Sequence, residues 1–188
     1  MSIIKHTTLA PIILVSLAGL LVGGFYQAFF VLFLKDLGWT QNQILLFGTV
    51  ASLVFIPVSL AVTRHIKKRE GIKTFFQGIS MYSIASICLG FLGNAWGFFS
   101  MLFFSTAKDA GALQANASRS GAISKAFAPH SEEAGAIDTI FSPLGQSAGF
   151  LIGGFLLSFI GYPLLFAFGG IFVLFVTLFA KTFRIRRG

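Results

Sequence analysis

Residues 9–34 read LAPIILVSLAGLLVGGFYQAFFVLFL, a run that contains no charged side chain. A helix needs about 20 apolar residues to cross roughly 30 Å of hydrocarbon, so this segment predicts a membrane-spanning helix. Similar runs follow at about 44–63, 73–92, 97–127, 135–159 and 163–181. Because lipid offers backbone groups no hydrogen-bond partners, we expect all six runs to be helices.

The composition of the chain also indicates a bilayer as its solvent. Of its 188 residues, 55% are hydrophobic and 11% are charged, which is more apolar surface than a water-soluble chain of this length can bury. The predicted fold class is therefore all-α: a polytopic membrane protein whose residues 1–188 form one domain of six transmembrane helices. Short turns at 93–96 and 161–163 make spans 3–4 and 5–6 antiparallel neighbours, and spans 1–3 and 4–6 form two three-helix repeats.

The N-terminal run has a second interpretation, a cleaved secretory signal, since Lys5 precedes it. The uncharged run continues to Lys35, well beyond the 7–15 apolar residues of a signal peptide, so we expect a retained first span. Most Lys and Arg residues then fall on one side of the membrane, which predicts two cytoplasmic termini in a bacterial inner membrane. This topology, together with anionic lipid headgroups, accounts for the net charge of +8 without a nucleic-acid partner.

Span 4 breaks the apolar rule, because polar residues stand where a lipid-facing helix would carry Leu. At 100° per residue, Lys108, Asp109, Asn116 and Arg119 share one face, and small residues such as Gly111 occupy the other. Lys108 and Asp109 fall near the bilayer midplane, where each charge costs about 2.5–3.5 kcal/mol. We expect charges in such a place to serve a function, although a buried ion pair that only fixes helix packing remains an alternative.

Span 1 supplies a plausible opposite wall for the polar face of span 4. Small and polar residues recur on it at three- and four-residue spacing, from Ser16 through Gly23 to Gln27, with Tyr26 on the flank. Gln27 and Tyr26 are therefore further site candidates, and a simple helix-packing groove is the alternative. Span 6 has Thr177 as its single polar residue between Pro163 and Ala180, which predicts that it faces lipid.

The order of these features resembles one half of a major facilitator superfamily transporter. The likeness lies in a first span that ends FLKDLGWT (33–40), a basic loop after span 2, the polar fourth span and a glycine-rich fifth span, GQSAGFLIGG (145–154). That last motif matches the family's antiporter pattern G-x-x-x-G-P-x-x-G-G except at Phe150. The loop between spans 2 and 3 keeps basic residues, among them Arg64, but lacks the Asp and the glycines that are typical of the family.

The resemblance implies a secondary active transporter that works by alternating access. In that family two six-span halves surround a central site lined by spans 1 and 4, with spans 3 and 6 outside, and two copies of this chain could supply both halves as a homodimer. The candidate residues have three roles. A small polar or amphiphilic solute would be bound by Lys108, Asn116, Arg119, Gln27 and Tyr26. Asp109 would carry the coupling proton, and Arg64 and Asp138 would form a gate between the two copies.

No nucleotide-binding loop, metal cluster or nucleophile constellation appears in the sequence. We therefore expect no enzymatic activity, no cofactor and no metal. The expected partners are a small-molecule solute, the lipid bilayer and a second copy of the chain. Other interpretations remain open: a non-transporting membrane partner or assembly subunit, one half of a split heterodimeric transporter, or a chain truncated after span 6.

Overall fold

The computed structural model of the chain describes residues 3–67, 71–127 and 131–185, and the side chains of residues 9–66, 71–127 and 139–182. This part of the chain forms five α-helices joined by short connections, in agreement with the all-α prediction. Their bounds are Ile3–Asp36 for α1, Gln41–Lys67 for α2, Gly71–Leu92 for α3, Phe98–Ala126 for α4 and Ser131–Ile185 for α5.

The prediction of six transmembrane helices is wrong, because the segments expected as spans 5 and 6 form the single 55-residue helix α5. Gly161 is the non-helical residue inside it, with φ 64° and ψ 168°, and Pro163 follows two residues later. A positive φ at glycine bends a helix sharply, and proline removes one backbone donor just beyond the bend. The residues that predicted a turn thus lie where the two helical segments of α5 meet.

Four of these five helices, α1, α2, α3 and α5, contain segments long and apolar enough to cross a membrane. The fourth helix of the chain, α4, is not among them, since Lys108, Asp109 and other polar residues interrupt its apolar sequence. The described part of the chain is therefore compatible with an integral membrane protein, with fewer apolar spans than the sequence predicted.

The two arms of α5, defined here as residues 131–160 and 162–185, lie on either side of the kink and run in opposite directions. The first arm is parallel to α1, because Gly145 packs on Leu20 and Gly153 on Phe25. The second arm is antiparallel to α3. It starts with Pro163 beside Gly90, and near its end the Lys181 ammonium lies 5.6 Å from the centre of the Phe76 ring. The kink at Gly161 thus lets one helix cover two neighbours.

The connection from α1 to α2 follows from the residues around Gly38 and Thr40. Gly38 has φ 83°, its N–H donates to the Lys35 carbonyl, and the Trp39 N–H donates to the Leu34 carbonyl, which is a Schellman end. Thr40 and Gln43 then form a capping box, as their Ser/Thr-x-x-Glu/Gln spacing predicts: the Thr40 N–H donates to Gln43 Oε1 at 2.8 Å and the Gln43 N–H to Thr40 Oγ1 at 3.3 Å. The sequence SEE (131–133) likewise predicts a cap at Ser131, which lies outside the described side chains.

Backbone contact at glycines brings the helices of the site together. A Cβ atom on Gly111 of α4 would lie 2.5 Å from the Tyr82 nitrogen and 2.7 Å from the Gly78 carbonyl oxygen of α3. Gly24 of α1 and Gly149 of α5 meet backbone atoms of the opposite helix in the same way. The small residues on this face of α4 therefore let α3 approach closely.

One face of the second arm of α5 packs in the core, whereas Phe172, Phe175 and Phe179 on its other face are exposed, so the prediction that span 6 faces lipid fits one face only. Phe166 and Val173 are both 0% exposed, and Phe166 stacks on Tyr26 with ring centres 4.4 Å apart. Among the four apolar helices α2 is the most exposed: 6% of its apolar segment is buried, compared with 50% for α1 and α3. One long face of α2 is thus left for lipid or for another protein.

Cysteine labelling can test the predicted topology. Arg64, Lys73, Lys125 and Lys181 lie at one end of the helix bundle, and Asn94 is exposed in the turn at the other end. In a Cys88→Ala background, we expect Arg64→Cys to react with a membrane-impermeant maleimide only after the cells are opened, because basic residues favour the cytoplasm. Asn94→Cys is the matched control and should react in intact cells. The reverse pattern would invert the topology.

Candidate functional site

A cavity of about 200 Å³ opens between α1, α3, α4 and the first arm of α5. Its wall combines a polar stripe of α1 with the polar face of α4, and α3 closes it with apolar and aromatic side chains. The residues that line it are Ser16, Gly19, Leu20, Gly23, Tyr26, Gln27, Phe75, Ile79, Tyr82, Lys108, Asp109, Ala112, Ala115, Asn116 and Gln146.

The charged centre of the cavity is an ion pair within α4. Lys108 Nζ lies 2.7 Å from Asp109 Oδ1, and the same ammonium lies 4.3 Å from the centre of the Tyr26 ring. Adjacent side chains on a helix point about 100° apart, so the sequence does not show whether Lys108 and Asp109 pair with each other. In the structure they do. Lys108 is therefore stabilised by a carboxylate on its own helix and by the aromatic face of a second helix.

Tyr26 holds Lys108 in place because the tyrosine ring is itself fixed on both sides. Its second face stacks on Phe166 at an interplanar angle of 13°, and its hydroxyl donates to the Ser86 carbonyl at 3.4 Å. With 5% of its surface exposed, Tyr26 connects α1, α3 and the second arm of α5 at the level of the ion pair. The aromatic support of the site is thus preorganised by the bundle.

The two members of the ion pair differ in exposure. The Lys108 side chain is 14% exposed, whereas that of Asp109 is 52% exposed, and Asn116 further along α4 is exposed as well. The cavity therefore opens to the outside of the bundle along the face of α4 that carries Asp109 and Asn116. Among the described residues that line the cavity, Lys108 and Asp109 are the charged ones, so its wall is neutral overall and locally polarised.

Two residues of the cavity wall, Ser16 and Tyr82, carry hydroxyl groups that are enclosed by the bundle. Ser16 Oγ and Tyr82 Oη have almost no accessible surface, and each belongs to a residue that is 4% exposed. Other hydroxyls in α3 donate to a carbonyl of their own helix, as Ser80 and Ser83 do at 2.7 Å. The Tyr82 hydroxyl lies beside the Ser86 side chain, so the polar groups that the cavity offers a solute are the charged pair and the side-chain amides.

The structure brings together most of the site residues predicted from the sequence. Tyr26, Gln27, Lys108, Asp109 and Asn116 all line this cavity. The face of α1 and the face of α4 that the helical periodicity selected are therefore the two faces that meet.

The other predicted residues lie elsewhere. Arg119 is 5% exposed and is not part of the cavity wall, although it shares α4 with Lys108 and Asn116. Arg64 is exposed at the end of α2, and the side chain of Asp138 lies outside the described residues. The suggested gate between these two residues stays a prediction.

Sequence reasoning missed the contributions of α3 and α5 to the cavity. Phe75, Ile79 and Tyr82 of α3 line it, although the resemblance placed span 3 on the outside. Gln146 of α5 adds a side-chain amide beside the glycines that pack on α1. Gln146 was the available signal, since it is the one amide within an otherwise small and apolar motif.

The arrangement as a whole offers a cation, an anion and three side-chain amides around one small space. Such a wall can bind a small polar solute within an apolar bundle. All of these polar groups belong to a single copy of the protein. No protein-family model, curated protein or solved structure matches this chain.

Proposed function

We propose that the chain is a protomer of a secondary transporter that binds a small polar solute in the cavity between α1 and α4. The observation that carries this proposal is the Lys108–Asp109 pair facing that cavity from the middle of a helix bundle. Asp109 lies eleven residues from Phe98, or about 16 Å along α4 at about 1.5 Å per residue. That depth is about half of the roughly 30 Å of hydrocarbon in a bilayer.

An ion pair that only fixes packing would not require the empty space beside it. Charges in the membrane interior are costly and commonly mark solute or ion pathways. Here the pair adjoins a cavity of about 200 Å³ whose wall also carries the side-chain amides of Gln27, Asn116 and Gln146. The combination of charge, space and amide groups therefore favours a binding site over a purely structural pair.

The proposed roles follow from the positions of the side chains. Lys108, Gln27 and Asn116 hold the solute, with Tyr26 positioning Lys108. Asp109 takes up and releases the coupling proton, since it is the acid on the described cavity wall and the more exposed member of the pair. The likeness of the sequence to the major facilitator superfamily supports alternating access as the mechanism.

A second copy of the chain completes the site in this proposal. Asp109 is 52% exposed, and Asn116 is exposed on the same helix. Lipid hydrocarbon cannot solvate a carboxylate at that depth, so this face needs water or another polar protein surface. A two-fold dimer that brings the cavities of two copies together supplies both.

Proton flux into liposomes tests the proposal directly. We expect liposomes that contain only this chain and a pH-sensitive dye to acidify or alkalise when a transported solute is added on one side. The double variant Lys108→Met/Asp109→Asn should abolish the signal. The matched control Lys35→Met/Asp36→Asn changes the same dipeptide at the end of α1, outside the cavity, and should leave the signal intact.

Two outcomes would contradict the proposal. If no small solute moves protons or itself crosses the membrane, the chain is better explained as a non-transporting assembly subunit, which the exposed face of α2 also fits. If flux per chain stays constant when the protein is diluted to one copy per liposome, the dimer is wrong and the single chain is the transporter.

A further inference from the structure

We infer that the solute is a small α-zwitterion, a molecule that carries an ammonium group and a carboxylate on one carbon atom. This inference rests on the proposed function, because it names the class of solute for the same cavity. It is derived from the sign and spacing of the charges on the wall, from the side-chain amides near them and from the size of the space.

The charges on the cavity wall favour a solute without net charge. Lys108 and Asp109 are the charged side chains among the described lining residues, so the wall has one positive and one negative group. A simple anion would pair with Lys108 but would be repelled by Asp109 next to it, and a simple cation would meet the opposite problem. A zwitterion satisfies both groups and leaves no charge unpaired in the membrane interior.

The spacing of the pair matches an α-zwitterion in particular. Lys108 Nζ and Asp109 Oδ1 are 2.7 Å apart, which is about the distance between the ammonium nitrogen and the nearer carboxylate oxygen of an α-amino acid. Such a solute can lie beside the pair with its dipole reversed, so that each charge has an opposite neighbour and the Lys108–Asp109 contact stays intact. Zwitterions with widely separated charges cannot pair with both groups in this way.

The rest of the wall indicates a compact solute with a polar side chain. A volume of about 200 Å³ is below the roughly 300–1,000 Å³ of sites for drug-sized ligands. Lys108 covers one face of Tyr26 and Phe166 covers the other, so this ring offers no face for an aromatic solute. The side-chain amides of Gln27, Asn116 and Gln146 lie on the same wall and favour a polar side chain on the solute.

Binding of matched solutes to the purified chain in lipid nanodiscs tests the inference. L-serine, L-serinamide and L-glycerate have nearly the same size and the same configuration. L-serine carries both charges, protonated L-serinamide carries the positive charge alone, and L-glycerate carries the negative charge alone. Alanine, alaninamide and lactate form a second set without the hydroxyl. Isothermal titration should show at least tenfold tighter binding of the zwitterion than of either singly charged analogue in at least one set.

Two variants should reverse this preference in opposite directions. Asp109→Asn removes the negative group, so glycerate or lactate should bind at least as tightly as the amino acid. Lys108→Met removes the positive group, so the amide should become the preferred solute. The control variants Asp36→Asn and Lys35→Met should keep the preference for the zwitterion, because neither residue lines the cavity.

The inference and the proposed function fail in different ways. An unaltered chain that binds and transports an anion or a cation as tightly as its zwitterion would overturn the inference, while transport itself would stand. The same holds if neither zwitterion binds but liposomes carry another class of solute. Absence of flux for every solute would overturn the proposed function instead.

Discussion

Asp109→Asn is expected to reduce gradient-driven accumulation of solute to the level of empty liposomes, while exchange of solute between the two sides continues. The amide keeps the size and the hydrogen-bond acceptor of the carboxylate but cannot carry the coupling proton. Exchange requires only that the site with bound solute opens alternately to the two sides of the membrane. At saturating solute the variant still binds, so exchange continues. Parallel measurements of accumulation under a pH gradient and of exchange at equal pH check this prediction.

A purely structural role for the pair predicts a different pattern. Each single replacement of Lys108 or Asp109 would then leave one unpaired charge and lower the free energy of unfolding by about 2–3 kcal/mol. The apolar double variant Lys108→Leu/Asp109→Leu would restore stability, because no charge remains. A stable double variant that still transports at the normal rate would remove both residues from the site.

Gly111→Ala is expected to destabilise the bundle by about 3 kcal/mol, near the upper end of the usual cost of overpacking. The new Cβ atom would lie 2.5 Å from the Tyr82 nitrogen and 2.7 Å from the Gly78 carbonyl oxygen. Both are backbone atoms, so no side chain can rotate away and α3 must move from α4. Because Tyr82 lines the cavity, solute binding should weaken as well.

Gly121→Ala is the matched control for this effect, since Gly121 lies in the same helix and a Cβ atom added there would meet no described atom within 4 Å. Alanine favours a helix over glycine by about 1 kcal/mol, so this variant should be equal to or slightly more stable than the unaltered chain. Unfolding in mixed detergent micelles measures both variants. Equal stability of Gly111→Ala and Gly121→Ala would contradict the close packing of α3 on α4.

Local signals in the sequence predicted local features of the structure well. The spacing of Thr40 and Gln43 predicted a capping box, and both of its hydrogen bonds form. Helical periodicity likewise placed Lys108 and Asn116 on one face of α4 and Gln27 on the facing stripe of α1, and all three line one cavity. These predictions depend only on residues a few positions apart, which a single helix brings together.

The number of helices and the choice of buried faces were not accessible in the same way. Gly161 and Pro163 predicted the reversal of the chain direction, but they do not show whether the helical hydrogen bonding stops there, so the continuity of α5 could not be read from them. Phe166 and Val173 are fully buried, yet an apolar residue looks the same whether it faces lipid or a neighbouring helix. Tyr82 was missed because only the approach of α3 to α4 brings it to the cavity.

The adjacency of Lys108 and Asp109 also bears on how the chain enters the membrane. During synthesis α4 leaves the ribosome before the first arm of α5 exists, so a charge that depended on a later helix would reach hydrocarbon alone. Because the two side chains pair at 2.7 Å within one helix, each neutralises the other from the start. The insertion penalty of about 2.5–3.5 kcal/mol per isolated charge is thereby reduced before any tertiary contact forms. In the proposed arrangement, the dipeptide assigned to the solute thus also lowers the cost of inserting α4, the least apolar of the described helices.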